Sequence, residues 1–173
     1  LFFVPEQPAI KQNITKNENI EQNTDAPSLD QKENIVQISR KESIEKSKRI
    51  KFENQSIVGS ISLKGASIDD LTFKDYKISL DNNEKVILLN PRNIENGYLI
   101  ESGFVTSDKN IDIPDAETEW SIIGNNKLTN QNPIKLSWSN NQGITFEKEI
   151  SLDEKFLFTI KQRIINSTNN KFD

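Results

Sequence analysis

The chain has no cysteine, no histidine and no methionine. Without cysteine there is no disulfide, no thiolate zinc site and no thiol nucleophile. Without histidine the commonest general base and metal ligand is missing. A translated chain starts with methionine, so its absence leads us to expect a processed or cut piece of something longer. Apolar residues reach only 34%, low for a chain folded throughout, and part of it is expected to lie outside any core. Concentrated charge of one sign is lacking too. The net charge is −4 with acidic and basic residues interspersed, so the basic footprint that neutralises phosphates is missing and no nucleic-acid partner is expected. Long apolar runs are also scarce. Leu1-Phe2-Phe3-Val4 stops at Pro5, whereas a membrane-spanning helix needs about 20 apolar residues.

Residues 6–48 contain no aromatic side chain, and their isoleucines follow neither a helical nor a strand period. Such a segment buries too little apolar surface to offset its ordering entropy. It reads as a disordered tether, with a short helix near Ser39 to Lys48 as a local alternative. As a coil, some 43 residues would span roughly 35–40 Å.

From Arg49 the texture becomes short alternating runs broken by Asn, Asp and Gly, the mark of antiparallel sheet. Ile57, Ile61 and Leu63 alternate with Ser60, Ser62 and Lys64. Gly65-Ala66 turns the chain into a run from Ile68 to Tyr76, in which Leu71 and Phe73 share a face. Val86 to Leu89 is apolar on both sides and predicts a central, doubly covered strand. Tyr98, Ile100 and Phe104 suggest another face. Ile134, Leu136 and Trp138, then Ile144, Phe146, Ile150 and Leu152, then Phe156, Phe158, Ile160 and Ile164 predict a three-stranded meander, its first turn at Asn140-Asn141-Gln142-Gly143. One greasy face of such a sheet must be covered.

The residues Gly59 to Tyr76 read GSISLKGASIDDLTFKDY, followed by Val86-Ile87-Leu88-Leu89-Asn90-Pro91, Tyr98 and Gly103-Phe104. In order and spacing this resembles the large periplasmic domain of the YidC family of bacterial membrane protein insertases, from about Arg49 to the end. The resemblance implies an all-β fold, a twisted antiparallel β-sandwich of the galactose mutarotase-like kind, here an incomplete N-terminal portion over 49–173. It implies that residues 1–5 are the remnant of a transmembrane helix and 6–48 the tether. The implied setting is the periplasmic side of the bacterial inner membrane, in a multi-pass protein. Its implied partners are Sec translocon subunits and nascent membrane proteins. The family positions that map here are structural: Gly59, Ile61, Leu63, Gly65, Ala66, Ile68, Asp69, Asp70, Leu71 and Tyr76. No catalytic residue, metal ligand or cofactor is implied.

Read for chemistry, the adjacent Asp69 and Asp70 should point to opposite faces of a strand and so not share a ligand; an Asp-capped turn into the strand is the expectation. Lys64-Gly65-Ala66-Ser67 is too short for a phosphate loop, and Gly65 reads as a turn residue. Gly59 reads as a bulge or a close backbone approach. Trp138 shares the core face of Ile134 and Leu136, whereas Trp120 is expected either to cap the core or to lie in a cleft. The triplets at Asn13, Asn54 and Asn166 fit a glycosylation pattern that an asparagine-rich chain produces by chance. Two other classes remain: a sugar enzyme on the same sandwich, which would have to work without histidine, and a secreted or surface β-sandwich module that binds protein or carbohydrate without catalysis.

Overall fold

Ser39 caps a helix. Its hydroxyl accepts from the Glu42 N–H at 3.2 Å and the Glu42 carboxylate accepts from the Ser39 N–H at 2.9 Å, a reciprocal capping box. The helix is α1, Arg40–Glu45. In the computed structural model, which describes residues 38–171, the strands that follow are β1 (Arg49–Glu53), β2 (Ile57–Ser62), β3 (Ile68–Lys77), β4 (Lys85–Leu89), β5 (Ser121–Ile123), β6 (Lys127–Leu128), β7 (Ile134–Ser139), β8 (Ile144–Leu152) and β9 (Phe158–Asn166).

The strands form two sheets, ordered β4-β3-β2-β1-β6 and β5-β7-β8-β9. Every pairing is antiparallel except the short β1–β6 contact. The architecture is a β-sandwich, and one hydrophobic cluster fills it. Ile50 and Phe52 of β1, Ile57 and Ile61 of β2, and Ile68 and Leu71 of β3 join Ile134, Leu136, Ile144, Phe146, Ile150 and Leu152 of β7 and β8. The β7-β8-β9 meander forms as its alternation predicts. Its first turn is held by Asn140, whose Oδ1 accepts from the N–H groups of Gln142 and Ile144.

Gly59 lies opposite Phe52 in the β1–β2 ladder. A Cβ there would stand 1.9 Å from the Asp70 carbonyl oxygen and 2.6 Å from the Phe52 ring. The ring therefore uses space that any other residue would occupy. From there Phe52 meets Phe158 of the facing sheet edge-on, with centroids 5.1 Å apart.

Three expectations need correction. The first is the last stretch of the tether expected over 6–48, where the local alternative, a short helix near Ser39 to Lys48, is what forms. The tether's residues 6–37, and the expected membrane remnant at 1–5, lie outside the described residues. Residues 39–48, however, carry α1, which is docked on the sheet. Arg40 pairs with Asp70 and donates from Nε to Asn90 Oδ1 at 2.9 Å, and Ser43 donates to Asn93 Oδ1 at 3.0 Å. A six-residue helix is marginal alone; distant partners that no local pattern displays hold this one.

Val86 to Leu89 is the second correction. Among the described residues β4 ends its sheet; Leu89 is buried, while Ile87 and Leu88 are 43% and 42% exposed. Lastly, Tyr98, Ile100 and Phe104 do not make a strand face. Tyr98 and Ile100 form only isolated bridges, to Asn90 and Ile68, and Phe104 crosses to the other sheet to pack edge-on against Phe146 at 4.9 Å.

Gly59→Ala should destabilise the domain by about 1–3 kcal/mol or more, because backbone as well as ring must shift. Gly103→Ala, where an added Cβ meets nothing within 4 Å, should stay within about 0.5 kcal/mol. Urea denaturation of the two variants tests the contrast, and equal midpoints would contradict it.

Candidate functional site

In β3 the ladder to β2 pairs Ile61 with Ile68 and Ser60 with Asp70, leaving Asp69 as an extra residue. This is a β-bulge, and it cancels the alternation that should have sent the two aspartates to opposite faces. Ile68 and Leu71 both reach the core, while Asp69 and Asp70 share one network on the outer face. The Ser60 hydroxyl donates to Asp70 Oδ2 at 2.6 Å and accepts from Arg49 Nε at 2.7 Å. Arg49 also pairs with Asp69, and Arg40 with Asp70. The Arg49 and Asp69 side chains are only 9% and 10% exposed. Burial pushes the Asp69 carboxyl above its ordinary value, against the downward pull of Arg49. The aspartates are thus neither a turn cap nor a free acid–base pair: each is neutralised by an arginine. Among the described residues no cluster of three or more acidic side chains could hold a metal ion.

Over this network lies a polar cleft of about 270 Å³, lined in part by Ser47, Arg49, Ser62, Asp69, Arg92 and Glu101.

The rest of the motif builds a turn and an anchor. Gly65 and Ala66 both have positive φ, +70° and 52°, the combination a tight primed turn needs. The Gly65 N–H donates to the Thr118 carbonyl at 2.8 Å, and the Trp120 N–H donates to the Leu63 carbonyl at 2.9 Å. Leu63 and Gly65 therefore pin residues 118–120 alongside the turn and set Trp120, 3% exposed, into the core. Trp138 is half-buried against Phe146. Tyr76 is 56% exposed and meets the Phe73 ring edge-on. Asn54 ties two loops together, because its amide donates to the Asp153 and Lys155 carbonyls.

Lys148 is the residue that sequence reasoning passed over. It follows Ile144 and Phe146 in phase on the inner face of β8, and it is 2% exposed. Its ammonium donates to the Ser102 carbonyl and stands 4.9 Å from the Trp120 ring centroid, a cation–π distance. Burial pulls its pKa down to about 8. The available signal was a lysine at a core-phase position of an otherwise apolar strand. Beside Lys148 is a second cavity, of about 310 Å³.

Two substitutions test these arrangements. Arg49→Met leaves a buried carboxylate without its partner and should cost about 3–5 kcal/mol. Asp69→Asn in the same background should restore much of that; additive losses in denaturation would rule out the coupling. For Lys148, the unfolded side chain titrates near 10.5 and the folded one near 8. Between those values the unfolded chain binds more protons, so stability should rise with pH across that window. Lys148→Met should lose this rise in melts taken across it, and a parallel pH profile would contradict the assignment.

The sequence that builds this geometry is similar to that of known proteins. A family model described as the YidC periplasmic domain matches residues 49–173. Over all 173 residues the chain is 61% identical to the membrane protein insertase YidC of Pelagibacter ubique. It is 39% identical over 134 residues, 77% of the chain, to that of Mesorhizobium japonicum. It is 41% identical over 124 residues, 71% of the chain, to that of Rickettsia canadensis. The chain spans 31% of the first relative's length and 22% of each of the other two. No solved structure matches significantly. With most of its length matched, the chain belongs to the YidC periplasmic domain family.

Proposed function

We propose that this chain is the accessory periplasmic part of a multi-pass inner-membrane protein that helps integral membrane proteins insert, fold and assemble, alone or with the Sec translocon. The observation that carries this reading is the family match over residues 49–173, joined by 61% identity to a relative named as a membrane protein insertase. Among the described residues no helix is long and apolar enough to cross a membrane, so in this reading the rest of the protein supplies the anchor and the insertion groove. The motif from Gly59 to Tyr76 then serves to shape the domain, with no reacting group of its own. Docking to translocon subunits, or holding emerging segments, falls to exposed surface. The β4 edge suits that role, since an edge that has no partner strand among the described residues, with Ile87 and Leu88 exposed, can accept another extended chain. The match also favours this reading over a secreted binding module.

The test uses the full-length protein in its own membrane. The chain contributes no cysteine, so a Leu80→Cys variant, at a position 99% exposed, adds one label to this region, read against the parent protein as the control for cysteines elsewhere. A membrane-impermeant maleimide should mark it in intact spheroplasts, and labelling only after lysis would overturn the periplasmic placement. Depleting the protein should leave newly made inner-membrane proteins uninserted. A defect confined to adhesion or sugar binding would instead support the secreted module.

A further inference from the structure

The cavity beside Lys148 is lined by Trp120, Ser102, Phe104, Ile113 and Pro114, with Glu101 and Asp115 also in its wall. Its polar groups are unbalanced. The buried Lys148 ammonium carries three N–H bonds, and among the described residues the one acceptor it reaches is the Ser102 carbonyl. Among the described residues the buried Ser102 hydroxyl and Trp120 indole N–H have no hydrogen-bond partner. Burying a polar group without a partner is costly, and here two such groups share one cavity with an under-coordinated cation. The ammonium and the indole N–H can only donate, and the serine hydroxyl can donate as well, so an acceptor would serve all three. The two carboxylates nearby do not supply it: Glu101 is paired with Arg92, and Asp115 accepts from the Thr118 hydroxyl and the Glu117 N–H.

We propose that this cavity is a binding site for a carboxylate carried on an apolar group. A carboxylate offers acceptors and no donors, and its charge complements the ammonium. The remaining walls, Trp120, Phe104, Ile113 and Pro114, are apolar or aromatic and suit a hydrocarbon or aromatic substituent. A volume near 310 Å³ is at the small end for ligand pockets, which fits a single amino-acid-sized group. The shared chemistry has two sources, the C-terminal end of a peptide or a free organic acid.

The full-length protein, purified in detergent and labelled with ¹⁵N at tryptophan, reports directly through the Trp120 indole N–H, assigned by its loss in Trp120→Phe. Four probes are titrated at neutral pH: N-acetylphenylalanine, hydrocinnamate, N-acetylphenylalaninamide and phenethylamine. Both carboxylates should shift the indole resonance saturably, and the amide and the amine should not. Tighter binding of N-acetylphenylalanine marks a peptide terminus as the source, and tighter binding of hydrocinnamate marks a free acid. Lys148→Met should weaken the carboxylates by at least about tenfold, equivalent to about 1.4 kcal/mol. Should that variant unfold, Glu101→Gln serves instead, and removing a competing charge should tighten them. Affinity should also fall as pH rises through about 8, the charged groups facing Lys148 in the cavity being Glu101 and Asp115. No saturable shift up to about 10 mM, weaker than any specific site of this kind, overturns the proposal. So does equal binding of the amide, preference for the amine, or an affinity unchanged in Lys148→Met.

Discussion

The close approach of the Phe52 ring to Gly59 is the contact on which the sandwich depends. Phe52 is completely buried, and its ring reaches Phe158 in the opposite sheet. Burying one large aromatic contributes about 1.5–3 kcal/mol by area, and edge-on contact with a second ring adds about 0.5–1.5 kcal/mol. Neither term is available unless residue 59 lacks a side chain. The position is constrained by space and not by backbone angle, since the limiting atoms are the ring and the Asp70 carbonyl. The glycine that opens the motif is thus explained by what its neighbours do with the empty volume.

The Asp70 carbonyl belongs to the residue that follows the bulged Asp69 in β3, and that irregularity sets the outer face. By adding one residue it brings two carboxylates to one side, where each takes an arginine. One of those, Arg40, comes from α1, so the bulge also fixes where that helix sits. Buried ion pairs contribute little net stability, because desolvation offsets much of the attraction. Their larger effect here is positional: an uncompensated Asp69 or Asp70 would be costly, so Arg49 and Arg40 are held in one arrangement. The family match begins at residue 49, yet the chain is already docked ten residues earlier at the Ser39 cap.

What could be read from the sequence divides along physical lines. The β7-β8-β9 meander was legible because its apolar residues alternate without interruption and its turn residues are locally decisive. The Gly65-Ala66 turn was legible for the same reason. A bulge defeats a period-two reading, so the paired orientation of Asp69 and Asp70 was hidden. The place of Val86 to Leu89 at the edge was hidden as well, because an apolar run gives the polarity of a strand's surroundings and not its order in the sheet. Lys148 was visible as a lysine in core phase on β8. Its partners were not, since the Ser102 carbonyl lies 46 residues away and belongs to a stretch without regular structure.

That stretch, residues 90–120, is the longest without a named helix or strand among the described residues. Long irregular segments inside compact domains are uncommon and usually carry function. Here the segment supplies walls to both cavities, yet its ladder-type ties to the strands are isolated bridges such as Ile68 to Ile100 and Lys64 to Glu119. The β8–β9 pair, by contrast, is matched residue for residue from Ile144–Asn166 to Leu152–Phe158. Local opening follows the density of such ties, so the segment should move before the sheets do. Over β8 and β9 it is restrained by Lys148 donating to the Ser102 carbonyl, by Gln162 donating to the Gly103 carbonyl at 3.1 Å, and by the Phe104–Phe146 contact. Two of these three are single hydrogen bonds, each worth about 0.5–1.5 kcal/mol net, somewhat more for the charged donor. The buried lysine thus works against itself energetically: its desolvation weakens the fold, while its one strong bond holds down the segment that covers it.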